Sequence, residues 1–147
     1  MKRKINIKKL DPRAITPSYG SEFAAGADLY ALTDQEVTIN PSETVLIHTG
    51  ISMEIPQGFG GFIFARSGLA SKKGLAPANK VGVIDADYRG EIMVALHNHS
   101  AVPVQITSGE RIAQLVIMPF EAAEFIECEE LSETVRGSGG FGSTGTK

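Results

Sequence analysis

Hydrophobic positions in this chain recur with the two-residue period of a strand and almost never with the longer period of a helix. Ile5-Asn-Ile-Lys alternates apolar and polar residues, as do Val37-Thr-Ile39 and Val104-Gln-Ile106. Thr44–His48, Gly61–Ala65, Glu91–Leu96 and Arg111–Met118 are denser in apolar residues and read as strands buried on one or both faces. Breakers stand between them at Asn40-Pro-Ser42, Ile55-Pro-Gln-Gly58, Asp85–Gly90 and Thr107-Ser-Gly-Glu110. Only Ser67–Lys73 predicts a helix, a short one, with Ser67 near its start and Gly74 as its stop. Many short strands at roughly 8–12-residue spacing predict a β-sandwich, barrel or jelly roll.

Composition adds a boundary. Five of the sixteen glycines fall in the last eleven residues, which marks 132–147 as a flexible arm and 1–131 as the folded core. A plain linker has no need of Arg136 and Phe141, so this arm is expected to order over a ligand. The length of 147 residues suits one core. A net charge of −3 gives no electrostatic drive toward nucleic acid or an anionic membrane, and no apolar run is long enough to span one. Cys128 is the single cysteine, so no internal disulfide is possible and no zinc cluster is suggested. A reducing compartment, the cytoplasm, is the expected location, or the nucleus for a eukaryotic or viral source.

Three segments carry candidate chemistry. Ala65-Arg-Ser-Gly68 follows a strand and opens the helix, where Arg66, Ser67 and Gly68 suit an anion; an N-cap beside a solvated lysine pair is the alternative. Gly82–Ile92 is a hairpin bearing Asp85, Asp87 and Tyr88. Its aspartates either bond the turn backbone, or Asp85 acts as a general base with Tyr88 as a flat platform. Asp28, within the small apolar run Ala24–Ala31, is a turn-former or a buried group paired with arginine or a metal-bound water. Gln114 is the polar exception in its strand, and His48, His97 and His99 lack metal-ligand spacing.

Taken in order, five segments resemble the motifs of the homotrimeric dUTP pyrophosphatases, or dUTPases. They are Ala25-Gly-Ala-Asp-Leu-Tyr-Ala31, Arg66–Gly74, Gly82-Val-Ile-Asp-Ala-Asp-Tyr-Arg-Gly90, Gly109-Glu-Arg-Ile-Ala-Gln-Leu115 and Arg136–Gly145. Ala27 departs from the pattern, where a bulkier residue is more usual. The resemblance implies a distorted jelly-roll-like β-barrel or sandwich with one short helix, assembled as a trimer whose sites each draw on all three chains. It implies hydrolysis of dUTP to dUMP and pyrophosphate with Mg²⁺ on the triphosphate, which keeps uracil out of DNA and supplies dUMP for thymidylate synthesis. Asp85 would activate the water that attacks the α-phosphorus, and Tyr88 would lie beneath the deoxyribose. Val83, Ile84 and Met93 would meet uracil through backbone groups, with Asn79 completing the nucleoside pocket. Arg66, Ser67, Gly68 and Gln114 would hold phosphates, and Asp28 would stand in the outer shell of the metal. Phe141 would cover uracil while Arg136, Gly142, Ser143 and Thr144 close the arm over the phosphates.

Two other functions share this fold, dCTP deamination and non-catalytic nucleotide binding. The deaminases carry a catalytic glutamate five residues after the hairpin glycine, where this chain has Ala95, and a second serine where it has Gly68. Asp85 and the arm argue against a purely binding role.

Overall fold

The computed structural model describes residues 3–140. Along the chain lie β1 (Asn6–Lys9), β2 (Ser18–Tyr19), β3 (Ala27–Tyr30), β4 (Val37–Ile39), β5 (Thr44–His48), β6 (Ile51–Glu54) and β7 (Phe59–Phe64). Helix α1 (Ser67–Lys73) follows, then β8 (Leu75–Pro77), β9 (Gly82–Ile84), β10 (Met93–Asn98), β11 (Val104–Ile106) and β12 (Arg111–Pro119). Strands β2-β3-β12-β7-β9 form a five-stranded sheet, β5-β10-β8 a three-stranded one, and β1-β6 and β11-β4 two-stranded ribbons. Every pairing is antiparallel, so the two larger sheets form a jelly-roll-like all-β body.

The expected β4, β5, β11 and α1 occur at the predicted bounds, and α1 ends on Gly74 in the left-handed conformation at φ 69°. Strands β2, β3, β6 and β8 were not legible as strands. Their residues are few or small, and partners on adjoining strands hold them extended. Leu29, Ile39, Ile47, Ile51, Leu75, Ile92, Leu96, Ile106 and Ile112 are fully buried and fill the space between the sheets. Each buried side chain of this kind contributes roughly 1.5–3 kcal/mol.

The last core strand ends at Pro119. Residues 120–131, apolar enough to read as core, run without strand pairing, and Phe125, Ile126 and Leu131 are 95%, 80% and 87% exposed. No described residue of the same chain covers them. Among the described residues no helix is long and apolar enough to cross a membrane.

Asn98 is the fully buried polar group that joins the ribbon to the sheet. Its Nδ2 donates to the carbonyls of Ile39 at 2.9 Å and Val102 at 2.8 Å, and its Oδ1 accepts from the Ser100 backbone N–H at 2.9 Å and hydroxyl at 2.8 Å. Asn98→Ala removes the Nδ2 donor to the buried Ile39 carbonyl and the acceptor of the Ser100 N–H, so chemical denaturation should show a loss of about 1–3 kcal/mol.

Candidate active site

Strand β12 runs between β3 and β7, with Gln114 opposite Asp28 on one side and Phe64 on the other. Strict alternation would put Arg111 and Gln114, three residues apart, on opposite faces of the sheet. A register shift between Arg111 and Ala113 prevents this. Ile112 and Ala113 are consecutive yet both fully buried, so the bulge returns Gln114 to the face that Arg111 occupies. Asp28, as the cross-strand partner of Gln114, shares that face.

Arg66, the N-cap residue of α1, has extended backbone and no side-chain capping bond, which leaves its guanidinium free to turn back over the sheet. Its Nε donates to Asp28 Oδ1 at 2.7 Å, and Arg111 Nη1 donates to Oδ2 at 3.4 Å. The Asp28 side chain is only 12% exposed, so its charge is met by two cations instead of by water. Gln114 Nε2 donates to the Ala65 carbonyl at 2.9 Å and so braces the residue preceding Arg66. That placement requires Gly26, where a Cβ would lie 2.6 Å from Gln114 Oε1. Ser67 and Gly68 are exposed, and a Cβ at Gly68 would meet nothing within 4 Å. The motif around Asp28 is therefore a strand, not a turn, and its carboxylate takes the arginine-paired option.

A second cluster forms on the hairpin between β9 and β10. Asp85 is exposed, and its carboxylate has no hydrogen-bond or ionic partner among the described residues. The turn closes instead on its own carbonyls: Tyr88 N–H donates to the Asp85 carbonyl at 3.1 Å, and the Arg89 side chain, through Nη1, to the Ala86 carbonyl at 2.7 Å. The Tyr88 phenol donates to the Glu91 carbonyl at 2.9 Å and lies where any Cβ at residue 90 would stand, so Gly90 is required. Asn79 lies against β9, its Nδ2 3.4 Å from where a Cβ of Gly82 would be. Val83 is exposed, Ile84 packs against the core, and Met93 opens β10 opposite His48.

Glu91 anchors this hairpin. Its Oε2 is 2.8 Å from His48 Nδ1, and its Oε1 accepts the Gly50 N–H at 2.8 Å. Burial raises its pKa, but the bonds from His48 and Gly50 outweigh that, and the carboxyl titrates below its ordinary value of 4.5.

The two clusters are far apart within one chain. Ile84 pairs with Gly61, five residues along β7 from Arg66, a separation of roughly 17 Å. Arg66, Ser67, Gly68, Gln114 and Asp28 gather at one end of β7, Asn79 precedes Gly82 on that same side, and Ile84 leads Asp85 and Tyr88 toward the other. Arg136 makes a local turn, its Nε donating to the Gly139 carbonyl at 2.8 Å. Phe141, Gly142, Ser143 and Thr144 lie outside the described residues. His97 and His99 pack edge to face at 4.4 Å, and no three His, Cys, Asp or Glu side chains among the described residues are placed to hold an ion. Arg111 and Gly26 were missed as neighbours of the candidate residues. Arg111 and Gly26 stand inside segments already singled out, but only the bulge and the register show what they touch.

A guanidinium cluster beside a helix start, and an exposed carboxylate beside an aromatic ring, define an all-β enzyme built to handle a phosphorylated ligand. A model of the dUTPase family matches residues 13–145. The deoxyuridine 5′-triphosphate nucleotidohydrolase of Desulfitobacterium hafniense is 53% identical over 146 residues, covering 99% of this chain and 97% of that protein. The one from Nautilia profundicola is 53% identical over 142 residues, covering 97% and 99%. Among solved structures, a Staphylococcus bacteriophage 80alpha dUTPase with dUpNHpp superposes with a TM-score of 0.89 at 29% identity, covering 98% of this chain and 99% of that one. A dUTPase from phage phi11 of S. aureus, whose structure is described as revealing the coordination of a structural Mg(II) ion, gives 0.80 at 25% identity over 89% and 100%. The chain belongs to the dUTPase family.

Two outcomes follow from the geometry. Asp28→Ala should destabilise the fold by about 1–3 kcal/mol and weaken pyrophosphate binding, measured by calorimetry, about tenfold, because Arg66 loses the carboxylate that aims it. The Glu91 carboxylate is held below its ordinary 4.5 in the folded state, so its stabilisation is complete above that pH and fades as pH falls through the lower folded value. Denaturation midpoints measured as a function of pH should show a shallower acid limb in Glu91→Gln.

Proposed function

We propose that the protein hydrolyses dUTP to dUMP and pyrophosphate in the cytoplasm, at sites shared between the subunits of a homotrimer. The observation that carries this reading is the separation of two complementary half-sites on one chain, joined to family membership across residues 13–145. The Arg66 cluster and the Asp85–Tyr88 hairpin lie toward opposite ends of β7, and in a shared-site trimer two copies would each lend one of them. Surface supports assembly: a 15.7 kDa chain folded as a compact monomer exposes about 7,300 Å². This one exposes 10400 Å², with the bare side chains of Phe125, Ile126 and Leu131 among it. The homotrimer follows the family, and a copy's 120–131 segment would find its cover on a neighbour.

In this reading Arg66, Ser67, Gly68 and Gln114 bind phosphate oxygens. Arg66 keeps Nε on Asp28 and turns the rest of its fork to the ligand. Tyr88 lies beneath the deoxyribose, Asn79 and the backbone of Val83, Ile84 and Met93 read uracil, and Arg136, Phe141, Gly142, Ser143 and Thr144 come from a third chain's arm. Asp85, with no partner among the described residues, has its lone pairs free to orient and deprotonate the attacking water. Mg²⁺ on the triphosphate would supply charge neutralisation. Asp28 is already held by two guanidiniums, so its first task is to aim Arg66, and it would stand toward the metal only in the outer shell.

Asp85→Asn should lower pyrophosphate release by about 10²–10⁴ while nucleotide binding persists, since the amide keeps the shape but cannot take the proton. Turnover at the parent rate would exclude Asp85 as the base. Mixing that variant with a chain ending at Val135 should restore part of the activity. Complete absence of complementation in verified mixed trimers would place every site within one chain.

A further inference from the structure

Glu91 is ionised, largely covered, fully satisfied and unused by the reaction just described, yet it touches the groups that fix Tyr88. The peptide that joins Glu91 to Ile92 donates its N–H to the Ile51 carbonyl at 2.8 Å, so its carbonyl oxygen points the opposite way, where it accepts the Tyr88 phenol at 2.9 Å. The Cα side of the same residue is held by its own carboxylate, bound to His48 Nδ1 and to the Gly50 N–H. Gly50 is held in turn, its carbonyl accepting the Leu10 N–H at 2.8 Å, and at φ 67° with Leu32 and Ala14 2.6 and 2.8 Å from where a Cβ would stand it admits no other residue. Thr49 completes the bracket, its buried hydroxyl donating to the Ile92 carbonyl at 2.5 Å.

We propose that Glu91 is a positioning residue for sugar selectivity, clamping the Tyr88 ring to the rigid Thr49–Ile51 turn so that the ring cannot retreat to admit a ribose 2′-hydroxyl. The proposal rests on the reading of Tyr88 as the platform under the deoxyribose. An unclamped ring still stacks, so dUTP is still bound and turned over. What suffers is rejection of the larger sugar, since a site that gives way by a fraction of an ångström discriminates poorly against one added hydroxyl.

The test is kcat/KM for dUTP and for UTP, followed by pyrophosphate release on the assembled enzyme. Glu91→Ala should cut the dUTP-over-UTP ratio about tenfold, mostly by improving UTP, while kcat for dUTP changes less than threefold. Glu91→Gln, which keeps an acceptor for the Gly50 N–H, should recover most of the ratio. His48→Ala, at a position 58% exposed where folding is safe, should move it the same way by less. Tyr88→Phe, which keeps the ring and deletes the phenol donor, should match Glu91→Ala, and the double variant should be no worse than either alone. If Tyr88→Ala collapses the ratio while Glu91→Ala and His48→Ala leave it at the parent value, the clamp is overturned and the platform stands. If Tyr88→Ala also leaves it unchanged, the platform reading itself is wrong and the clamp falls with it.

Discussion

Asp28 carries a negative charge into a covered face of the main sheet, and the phosphate half of the site is arranged around meeting that charge. A carboxylate with little access to water must be paired, and one guanidinium from each flanking element does this: Arg66 from the end of β7 and Arg111 from the start of β12. Arg66 is thereby held extended across the sheet before any ligand arrives, and the ordering cost of a long side chain is met during folding. The bulge in β12 makes this possible while Ile112 and Ala113 both stay in the core. One irregular residue step serves packing and chemistry together.

The hairpin solves a different problem. Its Asp85 carboxylate stands exposed and without a partner among the described residues, while the Tyr88 ring beside it is held. Bonds to its own carbonyls close the turn, so Asp85 is not consumed as a turn-former, and the freedom removed from Tyr88 is taken up by Gly90 and by the Glu91 bracket. Buried polar groups such as Asn98 and Thr49 are fully bonded, whereas Asp85 and Ser67 stand exposed at the surface.

The two clusters stand apart on one chain. The antiparallel register that places Ile84 beside Gly61 sends the hairpin toward one end of β7 and Arg66 to the other, and strand length then keeps them apart. The same chain leaves Phe125, Ile126 and Leu131 bare on an extended segment. In the proposed trimer, exposed apolar side chains and a divided site would both be relieved by association with other copies.

Alternation in β1, β4, β5 and β11, the helix stop at Gly74 and the Gly/Pro/Asn punctuation are local effects, and the all-β class and most element positions were readable from them. The candidate residues Asp85, Tyr88, Arg66, Ser67 and Gly68 could be singled out from residue type, with turn and cap roles as the alternatives. Residue order could not show which groups meet. Asp28 lies 38 residues from Arg66 and 83 from Arg111, and only the pairing of β3 with β12, with its one-residue slip, brings them within bonding distance. The strand character of Ala27–Tyr30, the service of Gly26 to Gln114 and the anchoring of Tyr88 by Glu91 are likewise properties of neighbours distant in sequence. The composition of 120–131 reads as core because its apolar side chains do need burial. Tertiary structure alone decides that this burial is not found within the same chain, since an antiparallel sheet whose last strand ends at Pro119 offers that segment no strand to pair with.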